Sequence, residues 1–119
     1  MRKIGYLIII SVMLLLPACG GVDNKNVMDA AKTFMTAMVE GDMELMSEIN
    51  HSDGWNFPAD HMITIANRDG VVGMDLSDME FEQIDDRMVE VTFTTNQGED
   101  GYTLVFNEEK DGYYFIELD

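Results

Sequence analysis

The sequence is poorest in positive charge. Only 7 Lys and Arg stand against 23 Asp and Glu, a net charge of −16 on 119 residues. That balance excludes nucleic-acid binding through phosphate neutralisation, which draws its affinity from clustered Lys and Arg. The one cysteine excludes an intramolecular disulfide framework and any multi-cysteine metal site. The two histidines, His51 and His61, are wrongly spaced for an H-E-x-x-H zinc helix. There is no G-x-S-x-G nucleophile turn, no Cys–His pair and no glycine loop that would cradle a phosphate. No calcium loop of the D-x-[DN]-x-[DN]-G kind occurs either. No apolar run reaches the ~20 residues that span a bilayer as a helix. A hydrophobic content of 46% still belongs to a folded chain, and the length suits one domain. These absences point to no particular activity. What is present speaks of location and fold.

Arg2 and Lys3 precede a nearly unbroken apolar run over residues 4–16. A basic start and a short apolar run are the parts of an export signal. Leu16-Pro17-Ala18-Cys19-Gly20 follows. A branched apolar residue three before a Cys and a small residue just before it resemble the lipobox of bacterial lipoproteins. Pro17 departs from that pattern, which favours a small residue there. The resemblance implies that Cys19 carries diacylglycerol and that residues 1–18 are removed. The only thiol is then consumed by lipid, and several acyl chains anchor far more firmly than one. Cleavage takes Arg2 and Lys3 with it, leaving 5 basic residues against 23 acidic ones, a balance of −18. Gly20 is not the Asp that signals inner-membrane retention in Gram-negative lipoproteins. Residues 19–25 read as a short polar tether.

Asn26 suits the N-cap of a helix over residues 27–40, with Gly41 just past its end. The polar residues Asp29, Thr33, Thr36 and Glu40 form one narrow stripe, and almost everything else is apolar. A helix that apolar is cradled by its neighbours. Asp42 caps a second helix over residues 43–50 with Met43, Met46 and Ile49 inward. A third over residues 58–69 has Pro58 at its first position and Gly70 as its stop, though residues 62–65 also suit a strand. Beyond Ser77 the period becomes two. Met79 and Phe81 alternate with Glu80 and Glu82, Val89, Val91 and Phe93 with Glu90 and Thr92. Tight turns are expected at Asp85-Asp86, over residues 97–101 and over residues 109–112. Connections this short force antiparallel neighbours. The expected fold is α+β, with N-terminal helices packed into a curved antiparallel sheet of about four strands over residues 26–119.

Ala30-Ala31-Lys32-Thr33-Phe34, the Glu40-Gly41-Asp42 link, residues 82–93 and Asp111-Gly112-Tyr113-Tyr114-Phe115-Ile116 resemble the nuclear transport factor 2-like cone. The resemblance is in particular to its small lipoproteins of unknown function. It implies a curved sheet wrapped around the first helix. The domain is small for such a cone, which implies a missing strand or a reduced pocket.

His51, Asp53 and His61 are the candidate acid–base residues, with Asp60 beside His61. Trp55 and Phe57 are candidate ligand contacts, either rimming a pocket mouth or plugging the cone. Met35-x-x-Met38 and Met43-x-x-Met46 offer soft thioethers, but on apolar helix faces they read as core packing. No metal site and no cofactor is expected. Acidic pairs at Asp85-Asp86, Glu99-Asp100 and Glu108-Glu109 coincide with turns and read as solvated. The expected function is a lipid-anchored cell-envelope domain that binds a protein or small ligand without catalysis. The alternatives are a small cone-fold hydrolase or isomerase and a structural accessory lipoprotein. Expected partners are the membrane, through the Cys19 lipid, and a cationic envelope protein or peptide. The oligomeric state is left open.

Overall fold

The computed structural model describes residues 22–52 and 56–119. Cys19, Asp53, Trp55 and the apolar run over residues 4–16 lie outside the described residues. Helix α1 is Val27–Glu40. The Asn26 side chain accepts from the Asp29 N–H, satisfying a donor that the first helical turn leaves free. Gly41 ends the helix in the left-handed region at φ 63°, where a side chain would be strained. Both ends therefore fall where the capping residues place them.

Helix α2 is Met43–Ile49, and Asp42 caps it by accepting from the Leu45 N–H. Met43 does not point inward. It is 42% exposed, while Met46 and Ile49 are buried. Leu45 packs against the core instead, so the buried face of this short helix is carried by Leu45, Met46 and Ile49. Helix α3 is Ala59–Arg68, so the expected third helix exists. Pro58 stands just before its first turn as the cap residue, rather than inside it. A short 3₁₀ turn, Leu76–Asp78, leads into the sheet.

The sheet is a meander in the order β1-β2-β3-β4, antiparallel throughout. Its strands are β1 (Glu80–Asp85), β2 (Met88–Thr95), β3 (Gly98–Glu109) and β4 (Gly112–Leu118). The five-residue turn expected over residues 97–101 shrinks to Asn96-Gln97. Thr95 pairs with Gly98 and Asp100 with Phe93, so the polar Gly-Glu-Asp-Gly stretch is strand. The Thr95 hydroxyl organises this turn by accepting from the Gln97 N–H and donating to the Gly98 carbonyl.

Helix α1 packs against β1, β2 and β4 and against both other helices. Its buried residues include Ala30, Ala31, Phe34, Met35, Ala37 and Met38. Phe34 stacks on Phe115 at 4.2 Å between ring centroids, and Phe106 meets Phe115 edge-on at 6.2 Å. Met35, Met38, Met46 and Met62 fill the space around these rings. The methionines of α1 thus serve packing. Among the described residues no buried side-chain polar atom lacks a partner.

The chain before α1 is bonded to the domain. Val22 packs against the core, and the Asp23 carbonyl accepts from the Thr33 hydroxyl at 2.6 Å. Asn24 is 3% exposed. Its side-chain amide donates to the Tyr113 carbonyl, and its own carbonyl accepts from the Tyr113 N–H, both at 2.9 Å. Gly112 makes room for it, since a Cβ there would stand 2.7 Å from the Asn24 amide. From Val22 onward, residues expected to act as tether belong to the fold.

Candidate functional site

The end of α2 meets the free edge of β4. Asn50 forms a parallel bridge with Phe115, and the His51 N–H donates to the Phe115 carbonyl at 2.8 Å. The Asn50 side chain fixes the next bend, accepting from the Ser52 N–H and donating to the Phe57 carbonyl. These bonds hold His51 beside Tyr114 and Phe115, in the first half of β4. Its Nδ1 lies 2.9 Å from Glu109 Oε2. Its ring lies flat on Tyr114, with centroids 3.7 Å apart and planes 4° from parallel. The Tyr114 hydroxyl donates in turn to Asp111. Burial, together with that bond to Asp111, raises the Tyr114 phenol above its ordinary pKa.

An open cleft of about 410 Å³ lies here, lined by His51, Ser52, Asn56, Phe57, Glu109 and Glu117 among others. His51 and Phe57 are therefore brought together. Phe57 also turns its ring edge-on to Phe115 at 6.3 Å, so it belongs to both the cleft wall and the core. His61 is not part of the cleft; it is exposed on α3, beside an Asp60 carboxylate that accepts its backbone N–H. The histidine, two carboxylates and an aromatic wall suit a cationic or hydrogen-bonding group with an apolar body. Among the described residues no group of three or more His, Cys, Asp or Glu is arranged to hold a metal ion.

A second cleft, about 390 Å³, opens between the end of α3 and the β2–β3 turn. Arg68, Asp69, Thr94, Thr95, Asn96 and Gln97 contribute to its walls. Beneath it the Tyr102 hydroxyl donates to Asp69 at 2.7 Å, and Arg68 Nε reaches the same carboxylate at 3.0 Å. Burial pushes the Tyr102 phenol far above its ordinary range, and the Asp69 carboxylate reinforces the shift. For Asp69, burial acts upward, but the bonds from Arg68 and Tyr102 outweigh it and leave its pKa lowered. No local motif reveals this pair, whose members are 33 residues apart. The available signal was the inward position of Tyr102, whose hydroxyl needs a partner once covered.

The pair gives a pH prediction. The lowered Asp69 contributes stability above its unfolded value of ~3.9, lost as acid titrates the folded carboxylate. The raised Tyr102 contributes fully below its unfolded value of ~10, and that contribution falls as pH rises beyond it. Tyr102→Phe is expected to cost about 1–3 kcal/mol at neutral pH, as loss of a charge-assisted hydrogen bond. Urea unfolding should show the gap between wild type and variant closing above roughly pH 10. A gap that stays constant into that range would rule out the coupling.

Comparison with family models, with curated proteins and with solved structures finds no match.

Proposed function

We propose that this chain is a lipid-anchored cell-envelope domain that binds a protein or small ligand without catalysis. The observation that carries the reading is Leu16-Pro17-Ala18-Cys19-Gly20, placed directly after a basic start and a short apolar run. Cys19 is the lipid attachment point, and the mature chain begins there. The fold reading that accompanies it is a reduced nuclear transport factor 2-like cone. Its support is the element order and the packing of α1 against three of the four strands.

Binding is favoured over catalysis by how the space is used. Phe34, Phe106 and Phe115 are fully buried and fill the space between α1 and the sheet, where a cone-fold enzyme would need room for its substrate. His51 and Glu109 instead face an open cleft, with side chains 41% and 34% exposed. Water there competes with any developing charge, so the pair is better suited to holding a ligand than to stabilising a transition state. His51, Glu109 and Phe57 in the cleft wall suit a hydrogen-bonding group with an apolar body, on either a protein or a small ligand.

Replacing Cys19 by Ser tests the anchor. The variant is expected to leave the membrane fraction or to accumulate with its leader attached, and to lose incorporation of labelled palmitate. A variant that stays with the membrane at the wild-type mature mass would overturn the assignment.

A further inference from the structure

We propose that the domain stands on the membrane in one orientation, with the β1–β2 and β3–β4 turns against the phospholipid headgroups and the β2–β3 turn pointing away. The proposal rests on lipidation of Cys19. Its geometry comes from the bonded segment before α1.

The chain is held from Val22 onward by core packing, by the Asp23–Thr33 bond and by the pair of bonds between Asn24 and Tyr113. Only Gly20 and Gly21 separate Cys19 from Val22. Three residue steps reach at most roughly 10–11 Å. The anchor point thus lies within that reach of the segment that Asn24 pins to Gly112 and Tyr113. In a meander, the first and third turns lie at one end of the sheet and the second at the other. The third turn, Lys110-Asp111, adjoins Gly112, so it marks the anchored end. The 12 residues of β3 carry the Asn96-Gln97 turn roughly 36 Å further off, at ~3.3 Å per residue. With the near end held, the far turn meets the headgroups only if the domain lies flat, a pose that anionic headgroups oppose because the strands carry carboxylates and no Lys or Arg.

The few basic residues follow the same axis. Lys25 precedes α1, Arg87 is in the first turn and Lys110 in the third, all at the anchored end. Lys32 lies over the Phe81 ring and Arg68 is bonded to Asp69. Lys25, Arg87 and Lys110 are available for headgroup phosphates. Asp23, Asp85, Asp86, Glu108, Glu109 and Asp111 share that end, so the tether rather than net attraction sets the orientation. The Asp69–Tyr102 cleft, walled by Thr94 to Gln97, then opens on the side away from the bilayer.

The lipid consumes the only native thiol, so an introduced cysteine gives a unique label site. Lys110→Cys and Asp86→Cys place a fluorophore at the near end, and Gln97→Cys and Asn96→Cys at the far end. Each full-length lipidated variant is reconstituted in phosphatidylethanolamine–phosphatidylglycerol vesicles carrying a headgroup nitroxide quencher. Loss of most of the fluorescence is expected at 110 and 86, and little loss at 97 and 96. A six-residue Gly-Ser insertion between Gly21 and Val22 should abolish that contrast. Equal quenching at both ends, or the reverse order, overturns the orientation. Intact mass separates this from the underlying reading: a chain without lipid on Cys19 sinks the anchor and the orientation together, whereas a lipidated chain without contrast sinks the orientation alone.

Discussion

Phe34→Ala is expected to destabilise the domain by about 3–5 kcal/mol, the range for removing a buried aromatic side chain. Phe34 is fully buried and stacks on Phe115, which in turn meets Phe106 and Phe57 edge-on. Truncation therefore opens a cavity where the helix layer and the sheet touch, and a stiff aromatic cluster relaxes little to fill it. Small domains hold only about 5–15 kcal/mol in total, so the variant should be partly unfolded at body temperature or should melt far earlier than wild type. Met43→Ala, on the exposed first turn of α2, is the control and should change stability by no more than about 0.5 kcal/mol. Urea midpoints for the two variants decide the matter. A loss below ~1 kcal/mol for Phe34→Ala would show that the ring cluster does not hold α1 on the sheet.

The importance of Phe34 was legible because it lies in sequence opposite a polar stripe, and a 14-residue helix repeats that pattern often enough to be unambiguous. Asn26, Gly41 and Asp42 were legible for a related reason: caps act on backbone groups within three residues of themselves. Met43 misled because spacing alone does not show that Leu45, rather than Met43, packs against the core. The Gly98-Glu99-Asp100-Gly101 stretch misled because its composition is that of a loop. Pairing with Phe93 to Thr95 is a tertiary fact that outweighs local preference. The sites were the least legible part. His51 and Glu109 are 58 residues apart, and nothing near either one names the other. His51 could be singled out as a candidate. Its carboxylate partner, and the stacking on Tyr114, follow from the bridge between Asn50 and β4. Asn24 was hidden in the same way, since a polar residue in a polar stretch gives no sign that it is buried.

Raising NaCl from low salt to 1 M is expected to raise the melting temperature of the soluble domain, by roughly 4–8 °C for each kcal/mol of repulsion screened. The strands locate that repulsion. β1 to β4 carry Glu80, Glu82, Asp85, Glu90, Glu99, Asp100, Glu108, Glu109 and Glu117 and not one Lys or Arg. Glu82 stands directly opposite Glu90, a like-charge cross-strand pair. Such a pair costs a few tenths to about 1 kcal/mol. The Debye length falls from ~8 Å at 0.15 M to ~3 Å at 1 M, so repulsion between exposed carboxylates is largely screened there. Glu90→Lys turns the pair into an attraction and should stabilise by about 0.2–1 kcal/mol at low salt. That gain should shrink as salt rises, because screening weakens the original repulsion and the new attraction alike. A melting temperature that stays flat or falls towards 1 M NaCl would remove repulsion as a significant cost of this fold. Two reasons for keeping so acidic a sheet then separate by experiment. If the protein is suited to a salty medium, wild type at high salt should match the variant, and no complex should depend on ionic strength. If the acidic surface steers a cationic partner, Glu90→Lys should slow association with a basic peptide, and wild-type affinity should fall as salt rises. The scarcity of lysine favours the first, since salt adaptation requires a broadly acidic surface whereas a docking patch needs only a local one. A salt-sensitive complex recovered from native membranes would reverse that preference.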